Sequence, residues 1–177
     1  MVTRKYMLAL TALAGASVSA CTTVPGMGAP AARADIHNAS GAMIGEALVY
    51  QRGSDIEIKV GVSQLAAGTY ATHIHTVGKC DAPKFTTAGP HWNPMGRQHG
   101  LENAMGPHGG DLPNIIVGAS GTGSISFRIP SQNVTGPGGI LDADGGAIMV
   151  HAGPDDMRTD PAGNAGDRIA CGVFRQL

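Results

Sequence analysis

Six of the seven histidines fall between residues 73 and 151: His73, His75, His91, His99, His108 and His151. His73 and His75 are two apart, so on a strand both imidazoles project from one face. Ile74 between them turns to the other face, towards a core. By the same alternation Ile148 and Val150 point inward and His151 points outward. Two strands can thus present imidazoles on the outside of one sheet. His91, His99, His108 and Asp111 follow in a stretch with no strand pattern. Loop ligands can wrap a second ion without strand geometry. Imidazole suits copper and zinc alike, and a carboxylate can complete a tetrahedral zinc site. A lone histidine is more often a satisfied polar residue than a ligand. Six in two neighbouring regions, with an aspartate in step, favour metal chemistry.

The elements that must position these side chains read as strands. The chain has 27 glycines, few aromatics and modest charge, a mix that suits turns and short strands better than long helices. Ile56, Ile58, Val60 and Val62 alternate with polar or small residues, and Ile125, Phe127 and Ile129 do the same. Ala47–Gln51, Tyr70–His75, Ile115–Gly118, Ala147–His151 and Ile169–Phe174 are further strand candidates. Asn38–Gly41 and Ala119–Gly123 have the composition of tight turns. The pattern predicts an all-β antiparallel sandwich or barrel. Gly78–Pro113 and Ala152–Asp167 resist it. Long structureless segments inside a compact domain are usually functional, and the histidines lie in or beside these two. The formal net charge is −1 with scattered Lys and Arg, so nothing points to a nucleic-acid-binding face.

The N-terminus reads as a signal peptide over residues 1–20. Arg4 and Lys5 precede an apolar run from Tyr6 to Ala20 that is too short to span a bilayer. Its end, Val18-Ser19-Ala20-Cys21, resembles the bacterial lipobox, which implies acylation of Cys21 and a membrane anchor. The alternative is ordinary cleavage nearby with Cys21 left as a thiol. Residues 21–32, rich in Pro, Gly and Ala, read as a flexible tether, and a single domain is expected over residues 33–177. Removing the leader takes two of the twelve basic residues and none of the thirteen acidic ones, which leaves −3. Cys80 and Cys171 remain as an even pair. In an exported chain such a pair usually forms a disulfide; the alternative is two buried thiols.

Several runs resemble copper/zinc superoxide dismutases. They are His73-Ile74-His75, Gly78-Lys79-Cys80, Ala88-Gly89-Pro90-His91-Trp92-Asn93-Pro94, His99-Gly100, His108-Gly109-Gly110-Asp111-Leu112, and Gly163 through Gly172. Their order and spacing cover essentially all of the domain. The resemblance implies a Greek-key antiparallel β-barrel or sandwich of about eight strands with two long functional loops. It implies copper on His73, His75, His91 and His151, and zinc on His91, His99, His108 and Asp111, with His91 bridging the two. It implies that Asp155 links His73 to His99, that Arg168 receives superoxide beside copper, and that Cys80 and Cys171 are joined. The implied activity is dismutation of superoxide to oxygen and hydrogen peroxide, in a monomer or homodimer on the periplasmic side of a bacterial membrane. Thr22 after Cys21 leans, by analogy with lipoproteins, towards the outer membrane.

The sequence departs from the family pattern in places. Ala71-Thr72 stands where an aromatic often precedes the histidine pair, and Thr76-Val77 where an acid often follows. Arg158 is the only cation in Ala152–Asp167, so electrostatic steering is expected to be weaker, or carried by Lys79, Lys84 and Arg97. His37 lies outside the constellation and reads as an exposed strand or turn histidine. Met149 shares the parity of His151. A non-enzymatic reading, a copper/zinc storage or delivery protein of the same fold, has no use for Arg168.

Overall fold

A computed structural model describes residues 28–177. The expected signal peptide and Cys21 lie outside the described residues. Ten strands run in chain order: β1 (Ala32–Asn38), β2 (Met43–Arg52), β3 (Asp55–Val62), β4 (Gly68–Tyr70), β5 (Thr72–His75), β6 (Ile115–Val117), β7 (Gly123–Ile129), β8 (Ala147–His151), β9 (Arg168–Val173) and β10 (Arg175–Gln176). Among the described residues the only helical element is a single 3-10 turn at Thr86–Ala88.

Alternation sets the register. In β3, Ile56, Ile58, Val60 and Val62 are buried, while Asp55, Glu57, Lys59 and Gly61 are half-buried. A one-residue slip would turn every apolar side chain outward, so the burial pattern pins β3 between β2 and β7. The main sheet runs β5-β8-β9-β1-β2-β3-β7, with β10 continuing beside β1; β4 and β6 form a second, two-stranded sheet. The passage from β3 through β4 to β5 and the link from β7 to β8 carry the chain between distant parts of this order. The result is the antiparallel Greek-key β-barrel expected from the sequence.

Ile36, Ile44, Ile56, Ile58, Ile74, Leu112, Ile115, Ile140 and Ile148 fill the barrel with little or no exposure. Each fully buried side chain of this size contributes roughly 1.5–3 kcal/mol by leaving water. A smaller cluster of Phe85, Ala88, Ala147, Met149 and Cys171 lies apart from that core. Ile148 and Val150 belong to the first cluster, and Ala147 and Met149 to the second. The inward and outward parity expected for β8 is present.

Two elements differ from the sequence pattern. The Tyr70–His75 run is divided at Ala71 into β4, which pairs with β6, and β5, which pairs with β8. Ala71 itself donates its N–H to Gly153 O and accepts from His151 N–H, so its backbone serves the 152–167 loop and β8. β1 carries no alternation signal strong enough to be read, because two of its three buried positions, Ala32 and Ala34, are alanines.

Candidate metal centre

β5 is an edge strand of the main sheet, and its open edge is occupied by the ligand loop. Trp92 N–H donates to Ile74 O, Ile74 N–H to Gly110 O, and Gly110 N–H to Trp92 O, each at 2.8 Å. These bonds set His75 opposite His91 and His73 opposite Asp111. The strand that carries the first histidine pair therefore also fixes two loop residues by backbone pairing. Gly110 permits this approach: a Cβ there would stand 2.2 Å from Ile74 O. Trp92 anchors the loop with its indole N–H on Gly138 O at 3.0 Å. On the other side of β5, a register shift between Val150 and His151 sets His151 opposite Arg168 on β9. Bulges of this kind re-aim side chains beside active sites.

Each imidazole of the first cluster has one nitrogen committed. His73 Nε2 meets Asp155 Oδ2 at 2.8 Å, His75 Nδ1 meets Gly89 O at 2.8 Å, His151 Nδ1 meets Gly166 O at 3.1 Å, and His91 Nδ1 meets Asp111 Oδ1 at 3.0 Å. The opposite nitrogens are buried without a partner: His73 Nδ1, His75 Nε2, His91 Nε2 and His151 Nε2. One ligand atom from each of these four histidines lies within 4.8 Å of every other. A buried, unsatisfied polar atom costs about 1–3 kcal/mol, so four that converge are suited to a shared ion. The committed nitrogen fixes each ring's orientation and tautomer.

The second cluster is arranged around a carboxylate. Asp111 Oδ1 lies 3.0 Å from His91 Nδ1, 3.0 Å from His99 Nδ1 and 3.3 Å from His108 Nδ1. His108 Nδ1 has no hydrogen-bond geometry there and is a fifth buried nitrogen without a partner. Asp111 Oδ2 accepts the N–H groups of Gly100 and His108, which hold the carboxylate plane. Ligand-atom distances alone group His73, not His108, with His91, His99 and Asp111. The Asp155 contact of His73 Nε2 and the convergence of its Nδ1 with three other nitrogens place it with the first cluster. His91 presents one nitrogen to each cluster, and its ring stacks on His73 with centroids 4.0 Å apart.

Asp155 joins the clusters from behind, with Oδ2 on His73 and Oδ1 on His99 Nε2 at 3.0 Å. Burial alone would raise its pKa, but hydrogen bonds from His73 and His99 overcome that and hold the carboxylate below its usual range. Burial depresses His73 to about 3, His75 to about 2 and His151 to about 4, so these rings are neutral near pH 7 and ready to ligate. Burial pulls His99 the same way, yet contacts with Asp111 and Asp155 outweigh it and raise His99 to about 9.

Arg168 is half-buried and donates to Phe85 O at 2.9 Å and Gly89 O at 2.8 Å. Gly89 O thus receives both the arginine and His75. Cys80 and Cys171 are bonded, with Cα atoms 5.7 Å apart, and the bridge ties the segment containing Phe85 to β9. The disulfide expected from the sequence is present, and the alternative of two buried thiols is excluded. His37 is exposed on β1, apart from the clusters, with Nδ1 3.2 Å from Asp35 O. Of the expected steering cations, Lys79 pairs with Asp81, and Arg158, the one cation of the 152–167 loop, pairs with Glu102.

Two contributors were not visible in the sequence. Asn114 clamps the backbone of Asp155, donating Nδ2–H to its carbonyl at 2.9 Å and accepting its N–H at 2.8 Å. Gly163, at φ +62°, lies against the Asp155 carboxylate; a Cβ would stand 1.8 Å from Asp155 Oδ1 and 2.7 Å from His99 Nε2. Both contacts span distant segments, and no local pattern announces them.

An antiparallel barrel with two adjoining imidazole clusters that both include His91 defines a two-metal β-barrel protein. The copper/zinc superoxide dismutase (SODC) family pattern matches residues 43–174. The chain belongs to that family. It is 45% identical over 145 residues to superoxide dismutase [Cu-Zn] 1 of Aquifex aeolicus, covering 80% of this chain and 86% of that protein. It is 37% identical over 178 residues to superoxide dismutase [Cu-Zn] of Deinococcus radiodurans, covering 92% of each. Among solved structures, a double mutant of a SOD-like protein from Bacillus subtilis aligns with TM-score 0.75 and 36% identity, over 80% of this chain and 95% of that one.

Proposed function

We infer that this protein is a copper/zinc enzyme that converts superoxide to oxygen and hydrogen peroxide. The observation that carries the reading is the set of four converging, unpartnered nitrogens beside a positioned arginine. His73 Nδ1, His75 Nε2, His91 Nε2 and His151 Nε2 are the proposed copper ligands. His91 Nδ1, His99 Nδ1, His108 Nδ1 and Asp111 Oδ1 are the proposed zinc ligands, a three-imidazole, one-carboxylate set that suits that ion. Copper supplies one-electron redox chemistry when bound, and zinc supplies fixed charge and order.

The chain's own residues do the rest. Arg168, held by two carbonyls, presents a fixed positive charge where a small anion docks. An arginine keeps its charge even though burial lowers its pKa. His91 Nε2 can hold a proton for transfer while Nδ1 stays on the Asp111 side, and Asp155 keeps His73 and His99 in orientation. Metal content measured with superoxide turnover tests the reading. One copper and one zinc per chain with turnover support it; full metal loading without turnover makes the protein a metal carrier.

The disulfide and the bacterial relatives support export. Residues 1–20 as leader, lipid on Cys21, residues 21–32 as tether and an enzyme domain over 33–177 complete the proposal. The chain would stand on the periplasmic side of the outer membrane as a monomer or homodimer. Mass spectrometry of the mature N-terminus checks the anchor: a diacylglyceryl-modified Cys21 is expected, and a free Cys21 thiol contradicts it.

A further inference from the structure

The loop between β8 and β9 delivers two carboxylates to the histidines. Asp155 is the first. Asp156 folds the loop after it, accepting the N–H groups of Arg158 at 2.9 Å and Thr159 at 2.8 Å and the side-chain amide of Asn164 at 2.9 Å. Gly163 N–H closes the turn on Thr159 O at 2.7 Å. That fold brings Asp160 to the far side of the second cluster. Asp160 Oδ1 accepts the backbone N–H of His99 at 2.6 Å and lies 3.9 Å from His108 Nε2.

We infer that Asp160 is a positioning residue for His99 and His108, a counterpart on the zinc side of what Asp155 does between the clusters. The inference rests on the two-site reading above. Asp155 meets the rings of His73 and His99; Asp160 holds the backbone N–H of His99 and faces the ring of His108. His108 Nδ1 faces Asp111 at 3.3 Å, so its Nε2 is the nitrogen left for an outer partner. At 3.9 Å the Asp160 oxygen is beyond hydrogen-bond distance of the ring nitrogen, and its negative charge faces that nitrogen directly. A ligand bound at Nδ1 makes Nε2–H a stronger donor, and an outer carboxylate then fixes the ring plane and raises ligand basicity. The backbone bond acts in parallel, because it sets where the His99 ring starts. Adjacent ties join the same two segments: Asn103 Nδ2 donates to Arg158 O, and Glu102 N–H donates to Met157 O.

Two variants separate the contributions. Asp160→Asn keeps an oxygen for the His99 N–H and removes the charge facing His108; Asp160→Ala removes both. The full-length protein is stripped of metal and reloaded. Zinc affinity is read by competition with a chromophoric chelator, and the ligand field by the visible bands of Co(II) in the zinc position. The side chain is half exposed, and solvent screening keeps the charge effect at the low end. Zinc affinity is expected to fall roughly 10-fold in Asp160→Asn and up to roughly 100-fold in Asp160→Ala. The Co(II) bands should shift in both, and copper affinity should stay near wild type. Unchanged zinc affinity and Co(II) bands in Asp160→Ala overturn the inference. Equal loss of copper and zinc in both variants also overturns it, because the effect is then not specific to the zinc side. If wild type and Asp111→Ala bind Co(II) alike, the two-site reading itself fails and takes this inference with it.

Discussion

The two histidine clusters are built by different means. His73, His75 and His151 stand on hydrogen-bonded strands, and each has its second nitrogen tied to a carbonyl or to Asp155. His99 and His108 stand on loop, gathered around Asp111, which is itself held by two backbone N–H groups. The strand-borne cluster inherits its geometry from the sheet. The loop-borne cluster depends on a carboxylate, two glycines and ties to a second loop. The first should keep its shape when metal leaves; the second should loosen.

The largest expected effect on this contrast comes from the disulfide. It closes a separation of 91 residues between the ligand loop and β9. The chain-entropy account gives such a bridge roughly 4–5 kcal/mol. Chemical denaturation of reduced and oxidised protein should show a loss of that order, with lower turnover because Phe85 O and Gly89 O hold Arg168. Equal stability of the two forms contradicts the account.

Next in size is Arg168. Replacing it by alanine removes a charge-assisted contact of ~1.5–3 kcal/mol, or roughly 10- to 150-fold in kcat/KM, with both metals retained. Arg168→Lys should fall between, and Arg168→Glu should be worst. Added salt should slow wild type more than Arg168→Ala. Pulse radiolysis across ionic strengths checks all four proteins.

Gly163→Ala sharpens the comparison from the loop side. The methyl would collide with Asp155 and reach His99, so zinc affinity should fall roughly 10- to 100-fold. Chelator competition measures it. An unchanged zinc affinity would mean that the loop yields without disturbing the cluster.

The metal-free protein should also depend on pH. His73, His75 and His151 have folded pKa values depressed to about 3, 2 and 4, against an unfolded value near 6.5. The unfolded chain therefore binds more protons below about pH 6.5, and stability falls as pH drops towards those values. Asp111 and Asp155 are held below the usual range and add to the loss below about pH 4. His99, raised to about 9, acts in the opposite sense: its contribution is present below about pH 6.5 and is lost as pH rises through 9. Thermal unfolding of the metal-free form should therefore peak near neutrality, with the steeper fall on the acid side.

The same contrast explains what the sequence made legible. His-x-His on an alternating strand announces its own geometry, and so do β3 and β7, whose apolar residues repeat at the strand period. Asp111 stands out in the sequence as an aspartate in step with the loop histidines, but nothing local says that three imidazoles converge on it, and its place in the zinc set is what the family resemblance implies. The roles of Asn114, Asp160 and Gly163 depend on contacts between the 91–114 and 152–167 segments, and such contacts leave no periodic trace. β1 escaped because alanine fills inward positions where a larger residue would have marked the alternation. The break at Ala71 escaped because it depends on partners elsewhere, Gly153 and His151.

The central claim is that two separable metal sites share His91. The direct measurement is copper and zinc content, with superoxide turnover, in His151→Ala and Asp111→Ala purified side by side. His151→Ala should lose copper and turnover while zinc stays bound. Asp111→Ala should lose zinc while copper stays bound with some turnover remaining. The same pattern of metal loss in both variants would contradict the assignment.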